Sequence, residues 1–103
     1  ANLLAARADV RPDTRSLHPV ANADADVVYE QEIAALRTIV NERFAELDST
    51  TVAVLRNNLA IIDKAIADSR AALEKDPGSR ALSSSLDRAL ENKLALMRRV
   101  SLL

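Results

Sequence analysis

LDSTTVAVLRNNLAIIDKAIADSRAALEKDPG, residues 47–78, decides the fold of this chain. Within it Val52, Leu55, Leu59, Ile62, Ile66, Ser69 and Leu73 recur at alternating spacings of 3 and 4. That is a heptad seam, and it holds one face of a helix against a neighbour. The spacing predicts a helix over 49–75, about 40 Å long at 1.5 Å per residue. The same stretch carries the signals for its ends. Asp48 can cap the free amides of Thr50 or Thr51, and Leu47 ahead of the cap can pack on Val52 as a hydrophobic staple. At the far end Asp76-Pro77-Gly78 interrupts the period. Asp can cap a following helix there, and Pro is tolerated at a first helical position because its missing N–H would be unpaired anyway. A second apolar strip, Val54, Ile61, Ala65 and Ala72, widens the arc, so this helix is expected to contact more than one other.

The flanking segments repeat the pattern. Upstream, Tyr29, Ile33, Leu36, Val40, Phe44 and Leu47 form a stripe over 26–47, with Asp24 and Asp26 as candidate caps at the positive end of the helix dipole. Downstream, Leu82, Leu86, Leu90, Leu94, Met97 and Ser101 define a third helix over 77–102, broadened by Ala89, Leu96, Val100 and Leu103. Almost no loop separates the first two helices, so they should form an antiparallel hairpin. The expected fold is all-α: three long helices in an up-down-up bundle spanning 24–103, with a hairpin that completes its core between subunits as the structural alternative. Residues 1–23, with Pro12, Pro19 and no sustained period, read as a linker or extended arm.

Composition agrees with this and narrows the function classes. The chain has 103 residues, with Ala supplying 19 of its apolar side chains and Leu 15, but only 1 Gly, 3 Pro and two aromatic residues, Tyr29 and Phe44. Strong helix formers dominate and the turn residues that a sheet needs are missing, which excludes all-β and doubly wound α/β folds. A net charge of -1 offers no broad positive field for a phosphate backbone, so nucleic acid is not an expected partner. No apolar run approaches the roughly 20 residues of a membrane span. So few large core residues give a thin core, which favours self-association or packing against a partner.

Chemistry-bearing patterns are sparse. The carboxylate pairs Asp63 with Asp68 and Glu42 with Glu46 lie on helical faces without the enclosed apolar setting that splits pKa values for acid–base work. The run Ser83-Ser84-Ser85 has no Gly-x-Ser-x-Gly turn, and His18, the single histidine, falls in the arm. With no cysteine there is no thiolate nucleophile or zinc ligand, and with Gly78 as the only glycine no phosphate loop can form. The expectation is therefore a non-enzymatic chain with no metal or cofactor. Ser69 and Lys93 depart from a plain apolar core: the first allows close helix approach, and the second can bury its stem with its ammonium wet, or else set helix register or face a partner. Excess apolar helix surface is the positive signal, and the candidate interface is Val54, Ile61, Ala65, Leu96, Val100, Leu102 and Leu103.

Five blocks in order carry a resemblance. They are Tyr29-Glu30-x-Glu32-Ile33-x-x-Leu36-Arg37, Leu47-Asp48-x-x-Thr51-Val52-Ala53-Val54-Leu55, Asn58-Leu59-x-Ile61-Ile62-Asp63-x-Ala65-Ile66, Ser69-Arg70-x-Ala72-Leu73-x-x-Asp76-Pro77 and Lys93-Leu94-x-Leu96-Met97-Arg98-Arg99. Together, over about residues 27 to 100, they resemble the C-terminal extracytoplasmic region of bacterial membrane-anchored anti-sigma factors. The resemblance implies a longer protein, with a cytoplasmic zinc-binding domain that holds the sigma factor, one membrane helix, and this segment on the periplasmic side of the inner membrane. These residues contain neither the zinc ligands nor the membrane helix, so sigma-factor binding and membrane anchoring would belong to a missing N-terminal part. Ser49 stands where the family turn has proline. On this reading 1–23 is the juxtamembrane linker, the Ala start marks an excised piece, and the expected partners are a second copy or an extracytoplasmic sensor protein. The alternative is a periplasmic helical-hairpin stress protein that holds apolar client segments. The segment Ala71-Ala72-Leu73-Glu74-Lys75-Asp76-Pro77 also resembles a tetratricopeptide-repeat junction, but no 34-residue period accompanies it.

Overall fold

A computed structural model describes residues 25–103; the arm at 1–23, with His18, and the candidate cap Asp24 lie outside the described residues. The described chain is three helices: α1 over 25–46, α2 over Ser49–Lys75 and α3 over Arg80–Ser101. α3 packs against both α1 and α2 in an all-α bundle. Side-chain pairs give the directions. Arg70, late in α2, meets Asp26 and Glu30 at the start of α1, so these two helices are antiparallel. Asp63 of α2 pairs with Lys93 of α3, and Ser69 meets Ser85, so α2 and α3 are antiparallel too. Tyr29 bonds Glu91, and Arg43 reaches the Ser101 carbonyl, which sets α1 parallel to α3. The order is up-down-up.

The core follows from the three stripes. Ile33, Val40 and Phe44 of α1 meet Ile66 of α2 and Leu86, Ala89, Leu90, Leu94, Met97 and Val100 of α3. Leu90 has no exposed surface, and Ile33 and Val100 are nearly as enclosed. α3 supplies most of the buried residues because it lies against both other helices. α2 contributes Ile66 and Ser69 as buried residues, and Val52, Leu55, Leu59, Ile62 and Leu73 pack half-buried against the cluster. Ser69 has the role its size predicted: its hydroxyl lies 3.5 Å from that of Ser85, where a larger side chain would push α2 and α3 apart.

The first turn forms as its sequence dictates. The Asp48 carboxylate accepts from the Thr51 amide at 3.2 Å and from its hydroxyl at 2.6 Å, while Leu47 and Val52 both pack on the core. Those hydrogen bonds hold the Asp48 carboxyl below its ordinary value, the side-chain bond contributing most. Two boundary expectations need correction. Asp26 is inside α1 and engages Arg70 instead of capping. α3 begins at Arg80 and not at Pro77, because Ser79 is the cap: its hydroxyl accepts from the Leu82 amide at 3.1 Å. Asp76 instead closes α2, donating its N–H to Ala72, and Pro77-Gly78 make the reversal.

Candidate interaction surface

Rims of the helix pairs are polar. Arg70 joins α2 to α1 through Asp26 at 2.8 Å and Glu30 at 3.3 Å; burial works against the guanidinium charge, but the two carboxylates outweigh it and raise the pKa. Arg98 of α3 meets Glu32 of α1 at 2.8 Å. Tyr29 donates to Glu91 at 2.7 Å, and that bond is the largest cause pushing the phenol up to about 12. Asp87 is raised as well, by burial first and then by the charges of Asp26 and Glu91. The Lys93 side chain is largely covered, and its ammonium meets Asp63 at 2.8 Å, tying α2 to α3. The paired carboxylates of the sequence are thus engaged separately, Asp63 with Lys93, Asp68 with Lys64 and Glu46 with Arg43. Among the described residues no group of three or more His, Cys, Asp or Glu could hold a metal ion.

The expected apolar surface is brought together only in part. Val54 and Ile61 stand out of α2 with more than half their area exposed, 56% and 62%, and Ala65 is exposed between them and the Lys64–Asp68 pair. Ala72, about two turns beyond Ala65, is half-buried. Val100 does not belong to this surface: at 1% exposure it is core, because its position on α3 faces inward with Leu90 and Met97. Leu96 packs half-buried against the core, as the wall of a groove. Leu102 and Leu103 are exposed but follow the end of α3, away from the centre of the α2 face. The strip on α2 therefore does not widen the buried arc. α2 meets α1 through the shared core at Ile66 and, at the borders, through Arg70 near one end and Arg56 stacked 5.1 Å over Phe44 near the other, without turning the strip inward.

Beside the strip runs a groove of about 340 Å³ between α2 and α3, lined by Asn58, Ile61, Ile62, Asn92, Ala95, Leu96 and Arg99. Asn58 and Arg99 were missed as site residues; Asn58 sits one turn from Val54 and from Ile61, a spacing that would have marked it. A face with two β-branched apolar residues, alanines and an amide, next to one cation, suits contact with another protein surface. No helix among the described residues is long and apolar enough to cross a membrane. Comparison with protein-family models, with curated proteins and with solved structures finds no match to this chain.

Proposed function

We propose that this chain is a non-enzymatic helical interaction domain whose working surface is the outward strip of α2 with the adjoining α2–α3 groove. The observation that supports it is the exposure of Val54 and Ile61 together on one helix face, beside a groove that has apolar walls and polar ends. The bundle holds this face in place: α3 anchors α2 through Ile66, Ser69 and the Lys93–Asp63 pair. The resemblance of residues 27 to 100 to the extracytoplasmic end of anti-sigma factors supplies the setting. The domain would act outside the cytoplasm, and a separate N-terminal domain would hold the sigma factor. Binding that favours one packing of the helices over another would be the signal.

The experiment is an Ile61→Glu variant in the full-length gene product. Expected is an unchanged melting temperature and helicity of this domain, since Ile61 is outside the core, together with altered sigma-dependent transcription. Unchanged transcription would count against the surface. A residue sequence upstream lacking both a zinc-ligand cluster and about 20 apolar residues would remove the anti-sigma setting. Exposed Val54, Ile61, Leu102 and Leu103 also favour a second reading, a holdase for apolar segments. Suppression of client aggregation at near-stoichiometric protein, lost in Ile61→Glu, is the result expected of that reading.

A further inference from the structure

The outward strip of α2 is the inner seam displaced by one residue. Leu55, Leu59, Ile62, Ile66, Ser69 and Leu73 face the bundle, and Val54, Asn58, Ile61, Ala65, Asp68 and Ala72 follow them one position earlier. One residue is about 100° of helix rotation, so the second seam lies on the flank of the first. It has its own alternation of 4 and 3 over about 27 Å. Unlike the inner seam, it is open over most of its length: Val54, Asn58, Ile61, Ala65 and Asp68 are exposed, and only Ala72 at its far end is half-buried.

The order of residues in this seam is self-complementary. Two copies of α2 set antiparallel about a two-fold axis at the level of Asp63 would place Val54 opposite Ala72, Asn58 opposite Asp68 and Ile61 opposite Ala65 of the other copy. In each apolar layer a β-branched side chain meets an alanine, which is the large-against-small arrangement that packs without voids. In the polar layer an amide, which donates, meets a carboxylate, which accepts. Lys64 already occupies Oδ2 of Asp68 at 2.8 Å, leaving Oδ1 for the incoming amide. Arg99, which lines the groove beside Asn58, has no ion pair among the described residues and would add its charge to the same carboxylate. A parallel, in-register pair would do the reverse: Asp68 against Asp68, Ala65 against Ala65 and Ile61 against Ile61. That repels in one layer and leaves a gap in another.

We infer that the occupant of this face is a second copy of the chain, paired through α2 in the antiparallel register that brings Ile61 onto Ala65. The inference rests on the interaction surface proposed above and names its partner.

Sedimentation equilibrium of the whole 103-residue chain tests association, and disulfide trapping tests register. The protein has no cysteine, so two can be added on exposed positions. A mixture of Ile61→Cys chains with Ala65→Cys chains is expected to oxidise to a mixed dimer, while either variant alone cross-links at least tenfold less. Ile61→Glu is expected to weaken association at least tenfold with no change in melting temperature measured at monomeric concentration. Cross-linking of Ile61→Cys alone as efficiently as the mixture would overturn the antiparallel register. A chain that stays monomeric to millimolar concentration overturns the second-copy proposal; if Ile61→Glu still alters transcription in that case, the surface stands and its partner is a different protein.

Discussion

Leu90 gives the strictest test of the packing. It has no exposed surface and lies where α3 faces both other helices. Leu90→Ala removes three carbon atoms, worth about 2.4 kcal/mol of transfer free energy at roughly 0.8 kcal/mol per group. The space they leave is walled by neighbours in helices that cannot collapse independently, which brings the expected loss to about 3–5 kcal/mol. Alanine's better helix propensity returns only about 0.2 kcal/mol. A domain of this size has of order 4–12 kcal/mol of stability, so the variant loses a large share of it. At roughly 4–8 °C per kcal/mol, a loss of 3 kcal/mol lowers the melting temperature by about 12–24 °C. The assay is urea and thermal unfolding followed by circular dichroism at 222 nm, run at ~5 μM to keep association out. Ile61→Ala is the paired control: the side chain is similar in size and equally helical in context, but it is outside the core, and its effect should stay within about 0.5 kcal/mol. A loss below about 1 kcal/mol for Leu90→Ala, or equal losses for the two variants, refutes the arrangement of helices described above.

Three further outcomes follow from the polar rims. Asp48 has a folded pKa below its unfolded value, so its contribution is present above the unfolded pKa and disappears as pH falls through the folded one; Asp48→Asn should be less stable than the parent at pH 7 and equal to it near pH 2. Asp87 has the opposite sign: its raised pKa means the folded state prefers the protonated acid, a preference present below the unfolded pKa and lost as pH rises through the folded one. Asp87→Asn should therefore melt higher than the parent at pH 7 and no differently at pH 3, and a lower melting point at pH 7 contradicts this account. Tyr29 is the single tyrosine, so absorbance at 295 nm reports it alone; its ionisation should fall near pH 12 in the folded chain and shift down in Glu91→Gln, and an ordinary midpoint near 10 in both shows that the Tyr29–Glu91 bond does not persist in solution.

The packing was legible in the sequence to the extent that it depends on period. The stripe Tyr29, Ile33, Leu36, Val40, Phe44, Leu47 and the seam from Val52 to Leu73 all reach the core or pack on it, because a spacing of 3 and 4 fixes which residues share a face whatever the neighbours are. The Asp48 cap was legible for the same local reason. The start of α3 was not. Asp76-Pro77 and Ser79 are both valid caps, and the competition is settled by the reversal of direction: Asp76 is needed to end α2, leaving the helical region at φ -140° and ψ 73°, and the helix can restart only after Pro77-Gly78. Val100 and Val54 show the other limit. Each lies on a strip beside a main stripe, and nothing local distinguishes them, yet Val100 is core and Val54 is exposed. The difference is that α3 has helices on two sides and α2 has its flank free, which is a property of the assembled bundle.

The distribution of charge carries the interface argument beyond exposure alone. Each pair of helices is bordered by ion pairs: Arg70 with Asp26 and Glu30 between α2 and α1, Arg98 with Glu32 between α3 and α1, Lys93 with Asp63 between α3 and α2. Charge therefore accumulates at the edges of contacts within this bundle, and the middle of each contact is apolar. The outer seam of α2 has the same layout without a neighbour. Its centre is Ile61 and Ala65; Asn58 and Asp68 lie about one turn further out along the seam, and Lys64 and Arg99 stand to the sides. An ordinary solvent face of a helix is polar along its length. The outer seam of α2 instead repeats the period of the buried seam, with four apolar residues and the polar pair Asn58 and Asp68, and its large and small residues follow an order that a two-fold axis can match. Exposure by itself is common for single apolar side chains. Exposure joined to a contact-like charge border and a self-matching order of sizes is a specification, and changing the order while keeping the composition separates the two: exchanging Val54 and Ala65 leaves the helix, its charge and its hydropathy as they are, but sets Ile61 against valine, so association should weaken while folding does not change.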